Sequence, residues 1–170
     1  MKSAQVAHGA SALEAVVFDM DGVLIDSEPV HFEATRALLA DLGIEYVPDL
    51  DENFFGCTDY DVFHALRSRY DLAADEGQLA AAWVERSVRL LSRPLTPMRG
   101  VPDVLHALRR SGIRLALASS SAPPIIAATL SGLALTDLFE FVVSGHDVER
   151  GTAVAHEPGF YQAILAEAQA

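Results

Sequence analysis

The strongest constraint on the fold is a series of short apolar runs, rich in β-branched residues, that are separated by helical patterns. The runs cover 15–18, 113–118 and 139–143. Each run ends in small or polar residues of the kind that close a strand. Strands that alternate with helices form parallel sheets, because each helix carries the chain back across the sheet. The sequence therefore predicts an α/β fold with a Rossmann-like parallel sheet, of which three strands are visible.

The stretch between the first and second runs is far longer than one crossover helix requires. Apolar residues recur there at helical spacing, and nothing from 29 to 93 reads as a strand. Further helical patterns follow in the second half of the chain. The predicted helices cover 29–42, 59–70, 76–91, 101–111, 124–130 and 159–168.

These patterns divide the chain into a core and an insert. We expect 14–28 and 98–170 to form the α/β core, and 29–97 to form a helical cap inserted after the first strand. The first residues, 1–13, have no apolar stretch like that of a secretory signal, and we expect them to form a flexible leader.

Composition excludes several classes of protein. Of the 170 residues, 51% are apolar and 21% are charged, which suits a packed core and not a disordered chain. The net charge of -12 repels phosphate backbones and anionic membrane surfaces, so we expect neither nucleic acid nor membrane as a partner. The single cysteine, Cys57, cannot form an internal disulfide, which fits a cytoplasmic protein.

Asp19, Asp21 and Gly22, which follow the first run, are candidates for chemistry. Ligands of parallel sheets bind beyond the carboxyl ends of the strands, and glycine permits a tight turn close to a ligand. One carboxylate could attack phosphorus while the other protonates the leaving oxygen. A phosphoryl group beside two carboxylates would require a hard cation such as Mg²⁺. Taken alone, the tetrapeptide Asp19-Met20-Asp21-Gly22 is more often a solvated turn.

A second polar cluster, Ser119, Ser120 and Ser121, follows the second run. Because parallel strands end at the same edge of the sheet, we expect this cluster to lie near Asp19. Its polar groups could hold a phosphate. Without Asp19, a turn or a helix cap would explain the same serines.

The segment 16–28, VVFDMDGVLIDSE, resembles the first motif of the haloacid dehalogenase superfamily almost position for position. It is most similar to the branch that contains β-phosphoglucomutase and many small-molecule phosphatases. The resemblance continues to Gly43, resumes at 56–63 and is strong again over 97–145, so it covers most of the chain.

The resemblance implies roles for individual residues. Asp19 matches the nucleophile, whose carboxylate also contacts Mg²⁺, and Asp21 matches the general acid/base, whose backbone carbonyl binds the metal. Ser119 matches the hydroxyl that holds the transferring phosphoryl group, with help from the backbone N–H of Ser120. His31 matches a histidine at the hinge of the cap, near the substrate.

The implied activity is hydrolysis of a small phosphorylated metabolite through an aspartyl-phosphate on Asp19. Two alternatives stay open. A remnant that binds phosphate without turnover would retain the same fold. A sugar-phosphate mutase is the weaker alternative, because the arginine that relatives often place near Cys57, to hold a second phosphate, is missing.

Two departures from the family pattern bear on activity. The family places a lysine after the third strand, whereas here Thr152 or Ala155 occupies that position, and the only lysine in the chain is Lys2. Arg150 is a candidate substitute for the lysine, and Glu157 is a candidate extra metal ligand. Arginine presents a planar fork and not a point charge on a flexible stem.

The second departure is that the chain ends before the acidic pair that completes the family's metal site. We therefore expect a C-terminally truncated version of the enzyme, with weak Mg²⁺ binding. The strands that the resemblance implies beyond the first strand are also missing. The edge of the first strand, at 15–18, is then expected either to pair with another chain, so that the protein self-associates, or to leave the protein marginally stable and prone to aggregation.

Overall fold

Three parallel strands form the sheet in this computed structural model, which describes residues 13–46 and 59–147. None of the helices in that part of the chain is long and apolar enough to cross a membrane. The elements in chain order are β1 (Ala15–Phe18), α1 (Glu28–Asp41), α2 (Asp59–Tyr70), α3 (Glu76–Leu91), α4 (Val101–Arg110), β2 (Arg114–Ser119), α5 (Pro123–Gly132), a short 3₁₀ helix (Thr136–Leu138) and β3 (Phe141–Ser144).

Strand β2 lies between β1 and β3. Its register places Val17 of β1 opposite Ala116, and Val143 of β3 opposite Ala118. Residues 115–119 are all buried, as expected of a strand that is covered on both faces. The predicted parallel α/β sheet is therefore confirmed, with β1 and β3 at its edges as far as the chain is described.

Most predicted boundaries agree with the structure, and the main difference occurs in β3. Helices α2 and α3 have the predicted bounds, and β2 is shifted by one residue. The predicted third strand, 139–143, starts instead at Phe141. Phe139 lies between the 3₁₀ helix and β3, before the first paired residue of the strand, and its buried side chain gives the same apolar signal as a strand residue. The predicted helix at 159–168 lies outside the described residues, as does all but the last residue of the predicted leader.

Trp83 of α3 joins the helices that the sequence assigns to the cap. Its Nε1 donates to Oγ1 of Thr35 on α1 over 3.1 Å, and its ring packs against Phe63 of α2, with centroids 6.1 Å apart. Helix α3 also packs against α5. The buried side chains of these helices and of the sheet form one apolar cluster. The division into core and cap at 29–97 therefore stays a prediction.

Hydrogen bonds and charge fix the start of α3. The Asp75 carboxylate accepts from the Gln78 amide over 2.8 Å, and the Gln78 side chain accepts from the Asp75 amide, which completes a capping box. The Glu76 carboxylate lies 3.1 Å from both His64 and Arg67 of α2. A hydrogen bond from its own backbone amide, followed by those from His64 and Arg67, lowers the pKa of Glu76 to about 2.

Close packing at Gly132 gives a test of the contact between α5 and the end of α3. A Cβ atom there would lie 2.6 Å from the carbonyl oxygen of Leu91 and 2.8 Å from that of Arg93. We expect Gly132→Ala to lower the free energy of unfolding by about 1–2 kcal/mol, which is the overpacking penalty less the gain in helix propensity. Urea unfolding measures the difference.

The control is Ser131→Ala, at the exposed position next to Gly132. This control should change the free energy of unfolding by less than about 0.5 kcal/mol. A Gly132→Ala variant as stable as the wild type would contradict the described packing.

Candidate active site

The candidate site lies at the carboxyl ends of the three strands. Asp19 directly follows β1, and the last residues of β2 and β3 are Ser119 and Ser144. The register pairs Ser119 with Ser144, so both hydroxyls lie at one level of the sheet. As predicted, the polar residues after the first two strands therefore lie at one edge of the sheet.

The loop after β1 is a tight turn held by its own backbone. The carbonyl oxygen of Met20 accepts from the Leu24 amide over 2.8 Å, and the Gly22 amide donates to the Ile25 carbonyl over 2.8 Å. Gly22 has a φ of +73°, a conformation that glycine adopts without strain. The side chains of Met20 and Leu24 are fully buried and anchor the loop. Asp19 itself is exposed, and its Oδ1 accepts from the Met20 amide over 2.8 Å.

The carboxylate of Asp21 accepts hydrogen bonds from serine hydroxyls on two sides. Ser27 donates to Oδ1 over 2.5 Å, and Ser121 donates to Oδ2 over 3.0 Å. The Ser119 hydroxyl makes a longer contact of 3.5 Å with Oδ2. The structure thus brings together Asp21 and Ser119, both proposed from the sequence, and adds Ser27 and Ser121 as direct partners of Asp21.

Ser27 occupies the position that would cap α1, yet its side chain makes no capping hydrogen bond. Serine at this position usually accepts from an amide of the first turn. Here Pro29, early in α1, has no amide hydrogen to donate, and the Ser27 hydroxyl points instead to Asp21. In the sequence, the signal for this bond is Ser27 itself, which lies in the segment 16–28, two residues before Pro29.

The turn after β2 is closed by β3. The buried Ser119 accepts at Oγ from the Ser121 amide over 3.1 Å, and its carbonyl accepts from the Gly145 amide over 2.8 Å. Gly145 approaches closely, since a Cβ atom there would lie 3.3 Å from Cα of Ser120. Ser120 is exposed at the tip of the turn.

Helix α5 starts immediately beyond this turn, with Pro123 and Pro124 as its first residues. Neither proline has an amide hydrogen. The start of α5 therefore offers fewer backbone donors for an anion than most helix N-termini do.

His31 lies on α1, with its ring against that of Trp83 at a centroid distance of 5.2 Å. Its Nε2 is buried and has no hydrogen-bond partner among the described residues. The predicted role of His31 near the substrate stays a prediction.

The donor set fits a sparsely ligated Mg²⁺ ion. Among the described residues no group of three His, Cys, Asp or Glu side chains could surround a metal. Mg²⁺ is usually held by one or two carboxylates, with water and phosphate oxygens completing its shell. The exposed Asp19 carboxylate can serve as one ligand, while the Asp21 carboxylate already accepts from hydroxyls. The candidates Cys57, Arg150 and Glu157, like the altered lysine positions Thr152 and Ala155, lie outside the described residues.

Comparison with known proteins identifies the family of the chain. Residues 16–156 match the family model of haloacid dehalogenase-like hydrolases. The chain is 31% identical over 153 residues to the phosphorylated carbohydrates phosphatase of Thermotoga maritima, with 90% of this chain and 69% of the relative covered. It is 29% identical over 150 residues to the β-phosphoglucomutase of Bacillus subtilis, with 82% of this chain and 64% of the relative covered. The chain thus spans about two thirds of the length of these relatives.

Among solved structures, the fold is similar to that of CbbY from Rhodobacter sphaeroides in complex with phosphate. The TM-score is 0.76 at 23% identity, with 93% of this chain and 73% of CbbY covered. At this identity the likeness supports the fold alone. The family match and the Thermotoga relative go further: the chain belongs to the haloacid dehalogenase-like hydrolases, in their β-phosphoglucomutase and phosphatase branch.

Proposed function

We propose that this protein hydrolyses phosphate monoesters of small metabolites, phosphorylated sugars in particular, through an aspartyl-phosphate on Asp19. One observation carries the proposal. Asp19 is exposed at the end of β1, two residues from an Asp21 carboxylate that is oriented by hydroxyls. The name of the Thermotoga maritima relative, phosphorylated carbohydrates phosphatase, supports this substrate class.

The reaction would use the two carboxylates in sequence. A carboxylate oxygen of Asp19 attacks phosphorus, and the bond from phosphorus to the ester oxygen breaks. The leaving oxygen takes a proton from Asp21. Water then attacks the phosphorus of the aspartyl-phosphate, Asp21 accepts a proton from it, and inorganic phosphate leaves with Asp19 restored.

Ser119 is suited to hold the phosphoryl group during this reaction. Its Oγ accepts from the Ser121 amide, so its own hydrogen remains available as a donor. The hydrogen bond that Ser119 donates to Asp21 is weak, since Ser119 Oγ and Asp21 Oδ2 are 3.5 Å apart. The exposed turn at Ser120 would supply a backbone N–H for a second phosphoryl oxygen.

Asp19 and the backbone carbonyl of Asp21 are the proposed ligands of Mg²⁺, as the family resemblance implies. When bound, the ion would offset the negative charges of the phosphoryl group and of Asp19. We propose weak binding, because the described residues include no group of three His, Cys, Asp or Glu side chains that could surround the ion.

A protein that binds phosphate without turnover is the second candidate. The observation in its favour is that Lys2 is the only lysine in the sequence, so none lies between β3 and residue 170 to offset charge during phosphoryl transfer. A mutase is less well supported, because the sequence has no arginine near Cys57 to hold a second phosphate.

Asp19→Asn separates the first two candidates. Asparagine keeps the size of the side chain but is a poor nucleophile, so we expect the rate of Mg²⁺-dependent hydrolysis of a generic phosphomonoester to fall at least about a thousandfold. Steady-state kinetics on purified wild type and variant measure the loss, with Ser131→Ala as a control that retains full activity.

Equal absence of turnover in folded wild type and in Asp19→Asn would refute the phosphatase proposal. The candidate that binds phosphate without turnover would then remain. Circular dichroism establishes that each protein is folded.

We further propose that the protein self-associates through the outer edge of β1. Among the described residues β1 pairs only with β2, and an exposed strand edge favours pairing with another chain. Sedimentation velocity over a wide concentration range should detect a dimer or larger species. A single monomeric species at every concentration would contradict this proposal.

A further inference from the structure

We propose that Ser121 and Ser144 are positioning residues that hold the Asp21 carboxylate in place, with Ser144 acting through Ser121. The inference rests on the proposed function, in which Asp21 transfers protons. Ser121, a member of the candidate phosphate-binding cluster, thereby has a role other than phosphate binding, and Ser144 has a role that no sequence pattern indicated.

Ser121 uses each of its polar groups to connect strand ends. Its amide donates to Ser119 Oγ over 3.1 Å, and its hydroxyl donates to Asp21 Oδ2 over 3.0 Å. Its carbonyl oxygen accepts from the Ser144 hydroxyl over 2.7 Å. Ser121 therefore links the loop after β1 to the ends of β2 and β3.

Ser144 fixes the position of Ser121. It is 2% exposed and ends β3 opposite Ser119. Its hydroxyl donates to the Ser121 carbonyl and accepts from the His146 amide over 3.1 Å. Both partners are backbone groups, which cannot move by rotation of a side chain, so the Ser144 hydroxyl is held firmly. The hydroxyl therefore fixes the loop that carries Ser121.

Without Ser121 the carboxylate of Asp21 would be held on one side only. Oδ1 would keep the bond from Ser27, whereas Oδ2 would retain only the 3.5 Å contact with Ser119. The terminal torsion of an aspartate is broad, so one bond does not fix the plane of the carboxylate. A group that transfers a proton must lie within about 2.6–3.2 Å of the reacting oxygen. Loss of Ser121 should therefore slow the chemical step and leave substrate binding unchanged.

Kinetics of Ser121 variants test this expectation. We expect Ser121→Ala to lower kcat about tenfold or more while KM changes by less than about twofold. Ser121→Thr keeps the hydroxyl and should retain kcat within about threefold of the wild type. Ser131→Ala, an exposed serine on α5, should behave as the wild type. A wild-type kcat in Ser121→Ala, or an equal loss in Ser121→Thr, would overturn the role of Ser121.

A double variant tests whether Ser144 acts through Ser121. We expect Ser144→Ala to lower kcat in the same direction as Ser121→Ala. Because two residues that act through one contact are not additive, the double variant should show the kcat of Ser121→Ala alone. Multiplied losses would overturn the dependence of Ser144 on Ser121.

Crystal structures of the wild type and of Ser121→Ala, without substrate, keep the inference separate from the proposed function. We expect the Asp21 carboxylate to have one orientation in the wild type and to be rotated or split between orientations in Ser121→Ala. An unchanged, singly oriented carboxylate would overturn the inference, even if neither protein hydrolyses a phosphomonoester. Conversely, a rotated carboxylate in an inactive protein would uphold the positioning role and refute only the proposed function.

Discussion

The hydrogen bonds to the Asp21 carboxylate connect the segments that form the candidate site. Ser27 reaches it from the start of α1, and Ser121 reaches it from the turn after β2. A partly buried carboxylate that lacked such donors would carry a substantial desolvation penalty. The same bonds that satisfy Asp21 therefore fix the loop after β1, the first turn of α1 and the turn after β2 relative to one another.

This arrangement depends in turn on the parallel sheet. The buried central strand β2 sets the level at which its neighbours end, and the register of Ser119 with Ser144 brings two hydroxyls to the same edge as Asp19. A further backbone hydrogen bond, from the Met98 amide to the Leu24 carbonyl over 2.8 Å, connects the residue that follows the predicted cap, 29–97, to the loop after β1. Both connections of the predicted cap thus reach the loop that carries Asp21.

Patterns in the sequence predicted the fold class, the bounds of α2 and α3, and the edge of the sheet at which Asp19 and Ser119 lie. They did not predict that Ser27 would donate to Asp21, because serine before a helix predicts a cap, in which the hydroxyl oxygen accepts from a backbone amide. Only the three-dimensional path of the loop decides between these two partners. The start of β3 was misplaced since a buried residue such as Phe139 has the same apolar signal in the link before a strand as in the strand itself.

The proposed function depends on a covalent bond between Asp19 and the phosphoryl group. The most direct test mixes the protein with Mg²⁺ and a phosphomonoester, stops the reaction with acid within the first turnover, and maps the phosphoryl group by mass spectrometry of peptides. We expect a phosphoryl group on the peptide that contains Asp19, sensitive to hydroxylamine as acyl phosphates are. Turnover that proceeds while Asp19 remains unmodified would contradict the proposed function.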